Sequence, residues 1–144
     1  LIDPAVCARV IDLLTDEDAD YAANNMPAGW PHGLDCEAVT FAWLQRAAQE
    51  ATQPFDREHV TPFVRNHPDA KKMNLDGPGG DMARHRWTLD TPADLEFMVA
   101  LFEKMPAGKA AWPLDVPFKI VQSDPSLAAI NAADNTRLPG HATA

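Results

Sequence analysis

The chain has 144 residues, of which 46% are hydrophobic and 23% are charged, a balance typical of one globular domain with a core of its own. A net charge of −9 at pH 7 would repel a phosphate-rich polymer, so we expect no nucleic-acid partner. The sequence shows neither a run of about 18 apolar residues nor a basic-then-apolar leader, so we expect a cytoplasmic protein with no membrane partner.

The first predicted element is a helix that follows Asp3, its N-cap, with Pro4 at the first helical position. Apolar residues recur along it at helical spacing: Val6, Val10, Ile11, Leu13 and Leu14. Two short strands are predicted next, over residues 19–24 and 33–41. The loop between these strands is rich in Pro, Gly and Asn.

The middle of the chain predicts further helices and one strand. The helix over residues 40–51 has four predicted inward positions: Phe41, Leu44, Ala47 and Ala48. Another helix begins at Asp56, where Pro62 predicts either a kink or a restart with Thr61 as N-cap. Residues 71–81 predict a short strand followed by a Gly- and Pro-rich loop.

Residues 85–97, "HRWTLDTPADLEF", predict a strand that runs into a helix. Trp87 and Leu89 alternate with the polar residues around them, the period-2 pattern of a strand. The helix that follows carries one apolar stripe: Leu95, Met98, Val99 and Phe102. A final helix is predicted over residues 124–133.

The alternation of strands and helices predicts an α/β fold. Three or four strands are few for a doubly wound domain, and the chain begins with Leu1 rather than Met. We therefore expect part of a larger domain. Cys7 and Cys36 lack the spacing of a metal site, so two reduced thiols are favoured over a disulfide.

Asp90 is the first candidate functional residue. Thr91 as N-cap, Pro92 at the first position and Asp94 at the third make a self-sufficient helix start, which leaves Asp90 spare. Ligands of open α/β sheets bind beyond the carboxyl ends of strands, so Asp90, on one face with Arg86, is a candidate for holding a metal or substrate. The alternatives are that Asp90 itself caps the helix or pairs structurally with Arg86.

Asp35 and Glu37 are the second candidates. On a strand they would project from one face, about 6.5 to 7 Å apart. That arrangement suits a divalent ion, two sugar hydroxyls, or a general base beside an orienting group. The alternative is a solvated sheet edge.

Arg57, Glu58 and His59 are the third candidates. They crowd a predicted helix start, where the helix dipole favours Glu58 but disfavours Arg57 and a protonated His59. Function would explain this conflict, and so would an ordinary helix end at the surface.

Four blocks of the sequence occur in the order and approximate spacing of a known family: "GLDCEAVTFAWLQRA", "REHVTPFVRNHPD", "HRWTLDTPADLEF" and "SLAAINA". On these blocks the chain resembles, from residue 1 to about 133, the cytidylyltransferase-like family of spore-coat polysaccharide biosynthesis protein F, relatives of the enzymes that make CMP-activated sugar acids. The resemblance implies a Rossmann-like three-layer α/β/α sandwich. It also implies that a hydroxyl of a sugar or sugar acid attacks the α-phosphate of CTP and that pyrophosphate leaves.

The resemblance also implies roles for the candidate residues. Asp90 would be a ligand of Mg²⁺. Asp35 and Glu37 would face the acceptor sugar as catalytic groups. Arg57, Glu58 and His59 would line the same crevice, His59 with the catalytic groups and the other two, with Arg86, binding substrate.

The chain departs from the family pattern at its beginning. The family has a G-D-x-P turn with a second metal ligand and, before it, a glycine-rich R-x-G-S-x-R-L-P-G-K loop, and neither precedes Leu1. We therefore expect the carboxyl-terminal, acceptor-side half over residues 1–133, followed by a flexible tail over 134–144. The R-L-P-G at residues 137–140 is treated as coincidence.

A half domain would expose apolar surface, which predicts a homodimer. Two other functions stay open: a non-catalytic module that binds a sugar or a partner, and a glycosyltransferase that uses a nucleotide sugar.

Overall fold

The computed structural model describes residues 1–108 and 111–135, and these form a small sheet surrounded by helices. The strands are three residues long each: β1 Tyr21–Ala23, β2 Glu37–Val39 and β3 Lys72–Asn74. The α-helices of this part of the chain are α1 Pro4–Asp16, α2 Phe41–Glu50, α3 Pro54–His59, α4 Pro62–Asn66, α5 Pro92–Phe102, α6 Asp115–Ser123 and α7 Pro125–Ile130. Over these ranges no helix combines the length and the apolar character that crossing a bilayer requires.

Strand β1 lies at the centre of the sheet, in the order β2-β1-β3. It pairs antiparallel with β2, where Tyr21 lies opposite Val39, and parallel with β3, where Tyr21 lies opposite Lys72. All three β1 residues are uncharged and fully buried, so helices can cover the strand. Helix α1 contacts all three strands.

The core has two parts. The sheet core joins β1 to α2 and α4 through Tyr21, Ala23, Trp43, Ala47, Val64 and Ala70. The carboxyl-terminal core joins α5, α6 and α7 to α1 and to several loops. Its buried members are Val6, Trp30, Leu34, Trp87, Phe97, Leu101, Met105, Leu114, Val121 and Leu127.

Several local predictions are confirmed. Asp3 caps α1 by accepting a hydrogen bond from the Ala5 amide at 2.9 Å. The helix broken by Pro62 restarts as α4, with Thr61 at its N-cap position. Cys7 and Cys36 are half-buried free thiols close enough to hydrogen-bond, and their redox state stays a prediction. Burial, and next a hydrogen bond with Cys7, raises the pKa of Cys36 to about 11.

The predicted strand over residues 85–90 is wrong. Its one element of sheet pairing is an isolated bridge between Arg86 and His32. Leu89, predicted to alternate with polar residues, is 62% exposed, whereas Arg86 is buried. The physical reason is an ion pair between Arg86 and Asp94, which draws the arginine inward against the period-2 pattern.

The predicted inward faces of two helices are mostly wrong, although Ala47 is buried as predicted. In α2 the buried residues are Trp43 and Ala47, while Phe41 is 78% exposed. In α5 Asp94, Phe97 and Leu101 are buried, and the predicted stripe lies mostly toward solvent. Helix α5 is apolar on both faces, so spacing alone does not select the buried one.

Candidate functional site

Asp94 is the centre of a buried polar cluster, which we call the Arg86–Asp94 cluster: Arg86, Thr88, Asp90, Thr91, Asp94 and Asn131. Its side chain is fully buried at the first turn of α5. The Arg86 guanidinium binds it through two hydrogen bonds, from Nε to Oδ1 at 3.0 Å and from Nη2 to Oδ2 at 2.8 Å. This geometry is the bidentate arrangement that makes arginine–carboxylate pairs strong.

Further donors complete the environment of Asp94. Thr88 Oγ1 donates to it at 2.7 Å, the Asp90 amide at 3.0 Å and Asn131 Nδ2 at 2.8 Å. Burial acts to raise the pKa of Asp94, but the hydrogen bonds from Arg86, the Asp90 amide, Thr88 and Asn131 outweigh it and hold that pKa well below its usual range. Asp94 is therefore charged at neutral pH and serves as a structural anchor.

Asp90 lies at the surface of the same cluster. Its side chain is 70% exposed, and Oδ2 accepts one long hydrogen bond from Arg86 Nη2 at 3.3 Å. The helix cap is Thr91, whose Oγ1 accepts from the Asp94 amide at 3.2 Å within a capping box. The Asp90 carboxylate therefore faces solvent. Arg86 donates to it from the protein side, and the Asp90 amide is fixed by its hydrogen bond to Asp94.

The side chains around Asp90 could supply only some of the ligands of a metal ion. Within residues 1–108 and 111–135, no group of three or more His, Cys, Asp or Glu side chains could hold a metal ion. Mg²⁺ is commonly held by one or two carboxylates together with substrate phosphates and water. A single exposed carboxylate such as Asp90 fits that kind of binding.

Asp35 and Glu37 do not share a regular strand. Asp35 precedes β2, and its Oδ2 accepts from the Gly33 amide at 3.3 Å. Glu37 begins β2, and its Oε1 lies 4.0 Å from Arg65 Nη1. Burial, and next the charge of Glu37, raises the pKa of the Tyr21 phenol above its usual range. Sequence reasoning missed Tyr21 and Arg65 as neighbours of Glu37, because they lie on separate elements with no spacing to connect them.

Gly33 links the Asp35 loop to the Arg86–Asp94 cluster. Its φ of +100° suits glycine, and a side chain there would meet the Trp87 carbonyl, since a Cβ would lie 2.5 Å from that oxygen. The backbone also joins the two segments, because the Trp87 amide donates to the His32 carbonyl at 2.6 Å. Asp35 therefore belongs to the loop packed beside the segment that leads to Asp90.

Arg57, Glu58 and His59 are exposed at the end of α3, whereas the sequence placed them at a helix start. Arg57 Nη1 donates to the Ala48 carbonyl at 3.0 Å, and the His59 ring lies 4.4 Å from that of Phe55. In the part of the chain that the structure describes, no hydrogen bond or ion pair joins these three residues to Asp90. They border the sheet core, whereas Asp90 borders the carboxyl-terminal core.

The comparisons with known proteins identify the fold. No protein-family model matches the chain. A segment of 71 residues is 34% identical to the uncharacterized protein MJ1063 of Methanocaldococcus jannaschii, a match that covers 48% of this chain and 29% of that protein. The solved structure of a cytidylyltransferase from Leptospira borgpetersenii serovar Hardjo-bovis superposes with a TM-score of 0.79 at 21% identity, over 88% of this chain and 53% of that one.

The chain has part of a cytidylyltransferase fold. This likeness confirms the predicted α/β class and a partial nucleotidyltransferase-like domain. The chain spans about half of the solved cytidylyltransferase and less than a third of the curated relative. The assignment to the spore-coat type stays a prediction. The R-L-P-G segment and the rest of the predicted tail from residue 136 lie outside the described residues, while Asn135, before them, is buried.

Proposed function

We propose that this chain forms the acceptor side of a cytoplasmic cytidylyltransferase that activates a sugar or sugar acid for surface-polysaccharide synthesis. A hydroxyl of the acceptor attacks the α-phosphate of CTP, and pyrophosphate leaves. The observation that carries the proposal is the solvent-facing carboxylate of Asp90, supported from behind by the Arg86–Asp94 cluster. The likeness to a solved cytidylyltransferase supports the same reaction class.

Asp90 is the proposed magnesium ligand. When bound, Mg²⁺ would neutralise charge on the triphosphate, which is the main requirement of phosphoryl-type transfer. Arg86 was predicted to bind substrate, yet its side chain is 7% exposed and committed to Asp94 and Asp90. We therefore propose that Arg86 positions Asp90 instead of contacting substrate.

We propose that the remaining candidate residues bind the acceptor sugar. Asp35 and Glu37 would bind or deprotonate a sugar hydroxyl, and Glu37 has the support of Arg65 at 4.0 Å. Arg57, Glu58 and His59 are exposed and so accessible to a polar ligand. Since the attacking hydroxyl must lie next to the α-phosphate, these three residues, which no described contact joins to Asp90, would bind a part of the acceptor away from that hydroxyl.

The test is pyrophosphate release by the protein that carries this chain. We expect release from CTP only with Mg²⁺ and a suitable sugar acid, and an Asp90→Asn change to lower turnover about 100-fold or more, as loss of one electrostatic group commonly does. Asp12→Asn, an exposed carboxylate on α1, is the matched control and should leave turnover unchanged. Full activity in Asp90→Asn would refute the metal assignment, and activity with CDP- or UDP-sugars in place of CTP would favour a glycosyltransferase.

A binding module is the second candidate function. It is favoured by the ion pairs of Arg86 with Asp94 and Asp90, because an arginine held in this way offers no free cation to a triphosphate. Calorimetry of the whole protein with CTP and Mg²⁺ separates the two. Binding of the sugar acid without any binding of CTP or turnover in the whole protein would establish the module.

We also propose that the chain forms a homodimer. Leu95, Val99 and Phe102 recur on one exposed face of α5, and each is 45% exposed or more. An apolar stripe of this kind on a charged protein is typical of an interaction surface.

A further inference from the structure

Cys7 and Cys36 lie next to each other in the fold, although they are distant in the sequence. Cys7 is near the start of α1, and Cys36 is the last residue before β2. Helix α1 packs on β2, and the two thiols are close enough to hydrogen-bond. Both residues are half-buried, so a small molecule in solvent can reach them. The transfer proposed above uses neither sulfur atom.

The backbone fixes both cysteines in place. The Cys36 amide donates to Oδ1 of the fully buried Asn24 at 2.8 Å, and the Cys36 carbonyl accepts from the Asn24 amide at 3.2 Å. The Cys7 amide donates to the Asp3 carbonyl at 3.2 Å, and Val6 beside it is part of the carboxyl-terminal core. The two thiols are therefore held together by ordered segments.

This arrangement suits a disulfide. Such a bond requires Cα atoms about 4.4 to 6.8 Å apart. Because the side chain of cysteine is short, two sulfur atoms at hydrogen-bonding distance belong to Cα atoms in or near that range. Rotation of the side chains then brings the sulfur atoms into bonding distance.

The surroundings of Cys36 set the order in which the two thiols react. Burial, and next the hydrogen bond with Cys7, raises the pKa of Cys36 to about 11, so Cys36 keeps its proton at neutral pH. The thiolate is the form that attacks a disulfide. We therefore assign the first attack to Cys7. Cys36 takes the second step, where its sulfur already lies beside the reacting atom.

We propose that Cys7 and Cys36 form a reversible disulfide by exchange with a low-molecular-weight disulfide such as oxidised glutathione. The Cys7 sulfur attacks one sulfur of that molecule, and the other sulfur leaves as a thiolate and takes up a proton. Cys36 then loses its proton and attacks the Cys7 sulfur, which forms the bond and releases a second thiol. The two cysteines together lose two electrons, and the small disulfide is reduced to two thiols.

The bond would join α1 to the segment that carries Asp35 and Glu37, because Cys36 lies between these two residues. In a reducing compartment a disulfide of this kind is transient and serves as a redox sensor. Its formation does not depend on nucleotidyl transfer, so its test is separate from the test of the proposed function.

The experiment is peptide mapping of the whole protein after equilibration with oxidised or reduced glutathione at neutral pH. Free thiols are blocked by alkylation, and trypsin then cleaves after Arg9, which puts Cys7 and Cys36 in separate peptides unless a disulfide links them. We expect the linked pair in oxidised glutathione and its loss in reduced glutathione. In urea the yield of the link should be several times lower, because unfolding separates the thiols. No linked pair in the folded protein, or an equal yield in urea, would overturn the inference.

Single variants test the order of the two steps. In Cys36→Ser no second thiol can displace glutathione, so a mixed disulfide should accumulate on Cys7. In Cys7→Ser the buried, protonated Cys36 should acquire glutathione several times more slowly. Serine has nearly the shape of cysteine, and circular dichroism checks that both variants fold. Equal rates in the two variants would overturn the assignment of Cys7 as the first thiol to react.

Discussion

Two aspartates four positions apart show how strongly surroundings decide the role of a residue. Asp94 is fully buried and accepts hydrogen bonds from Arg86, Thr88, Asn131 and backbone amides. The Asp90 side chain, in contrast, is 70% exposed and accepts a hydrogen bond from Arg86 at 3.3 Å. The first stabilises the fold, and the second is left available for a ligand.

Replacing Asp94 should therefore cost far more stability than replacing Asp90. Asp94→Asn leaves the buried Arg86 without its counter-charge, and loss of one partner of a buried pair commonly costs about 3 to 5 kcal/mol. Asp90→Asn, at an exposed pair, should cost less than about 1 kcal/mol. Urea unfolding of the three proteins measures the difference, and equal losses would contradict the structural assignment.

The same carboxylate should make stability depend on pH. The pKa of Asp94 is depressed in the folded chain relative to its ordinary 3.8. The unfolded state therefore binds the proton first, so the contribution of Asp94 is complete above about pH 5 and is lost as the pH falls through 3.8 toward the folded pKa. Unfolding free energies between pH 7 and 2.5 should fall more steeply in the wild type than in Asp94→Asn. Parallel curves would show that another group controls the acid transition.

At the scale of elements, the break between α3 and α4 is a strained turn. Val60 has φ +67° and ψ −56°, and the Thr61 amide donates to the His59 carbonyl at 2.7 Å, which together define a γ-turn. This form of the turn is rare and strained, and a β-branched residue is poorly suited to it. Pro62 then starts α4, as the sequence predicted.

Val60→Gly should relieve this strain. We expect a gain of up to about 1 kcal/mol, because relief of positive-φ strain of about 1 to 3 kcal/mol exceeds the entropy that glycine adds to the unfolded chain. Ile11→Gly, at a similarly exposed position inside α1, should instead lose about 1 kcal/mol. Thermal unfolding of both variants provides the measurement, and a destabilised Val60→Gly would show that the turn is not strained.

At the scale of the whole molecule, the apolar character of α5 on both faces is the most informative feature. One face, with Phe97 and Leu101, packs in the carboxyl-terminal core. The other face exposes Leu95, Val99 and Phe102, which recur at i, i+4 and i+7. A helix of this kind is expected to be covered on both sides.

Placing a charge on the exposed face should dissociate the proposed dimer. Val99→Asp puts a carboxylate in the middle of the stripe, and sedimentation should then show a monomer. Ile11→Asp changes an equally exposed residue on α1 and should leave the dimer intact. A wild-type monomer at micromolar concentration, or a dimer in Val99→Asp, would refute the proposed interface.

The features that the sequence predicted well are those whose chemistry is local. The Asp3 cap, the capping box of Thr91 and Asp94 and the restart at Pro62 each depend on residues within four positions of one another. Asp90 was singled out by the same reasoning, because a complete cap left it spare. The roles of Asp35, Glu37 and the α3 residues are not settled by local chemistry and stay predictions.

The amino-acid sequence by itself determined where α1, α4 and α5 begin, because backbone capping and proline chemistry act over a single turn. Only the tertiary structure decided that Arg86 turns inward, that α5 buries its Asp94 face, and that Asn131 reaches a carboxylate 37 positions away. Because α5 is apolar on both faces, hydrophobic spacing did not show which face is buried. The ion pair with Asp94 buries Arg86, although the period-2 pattern around Trp87 predicted that Arg86 faces solvent. Side chains distant in sequence meet only when the helices pack, and that packing built the support for Asp90.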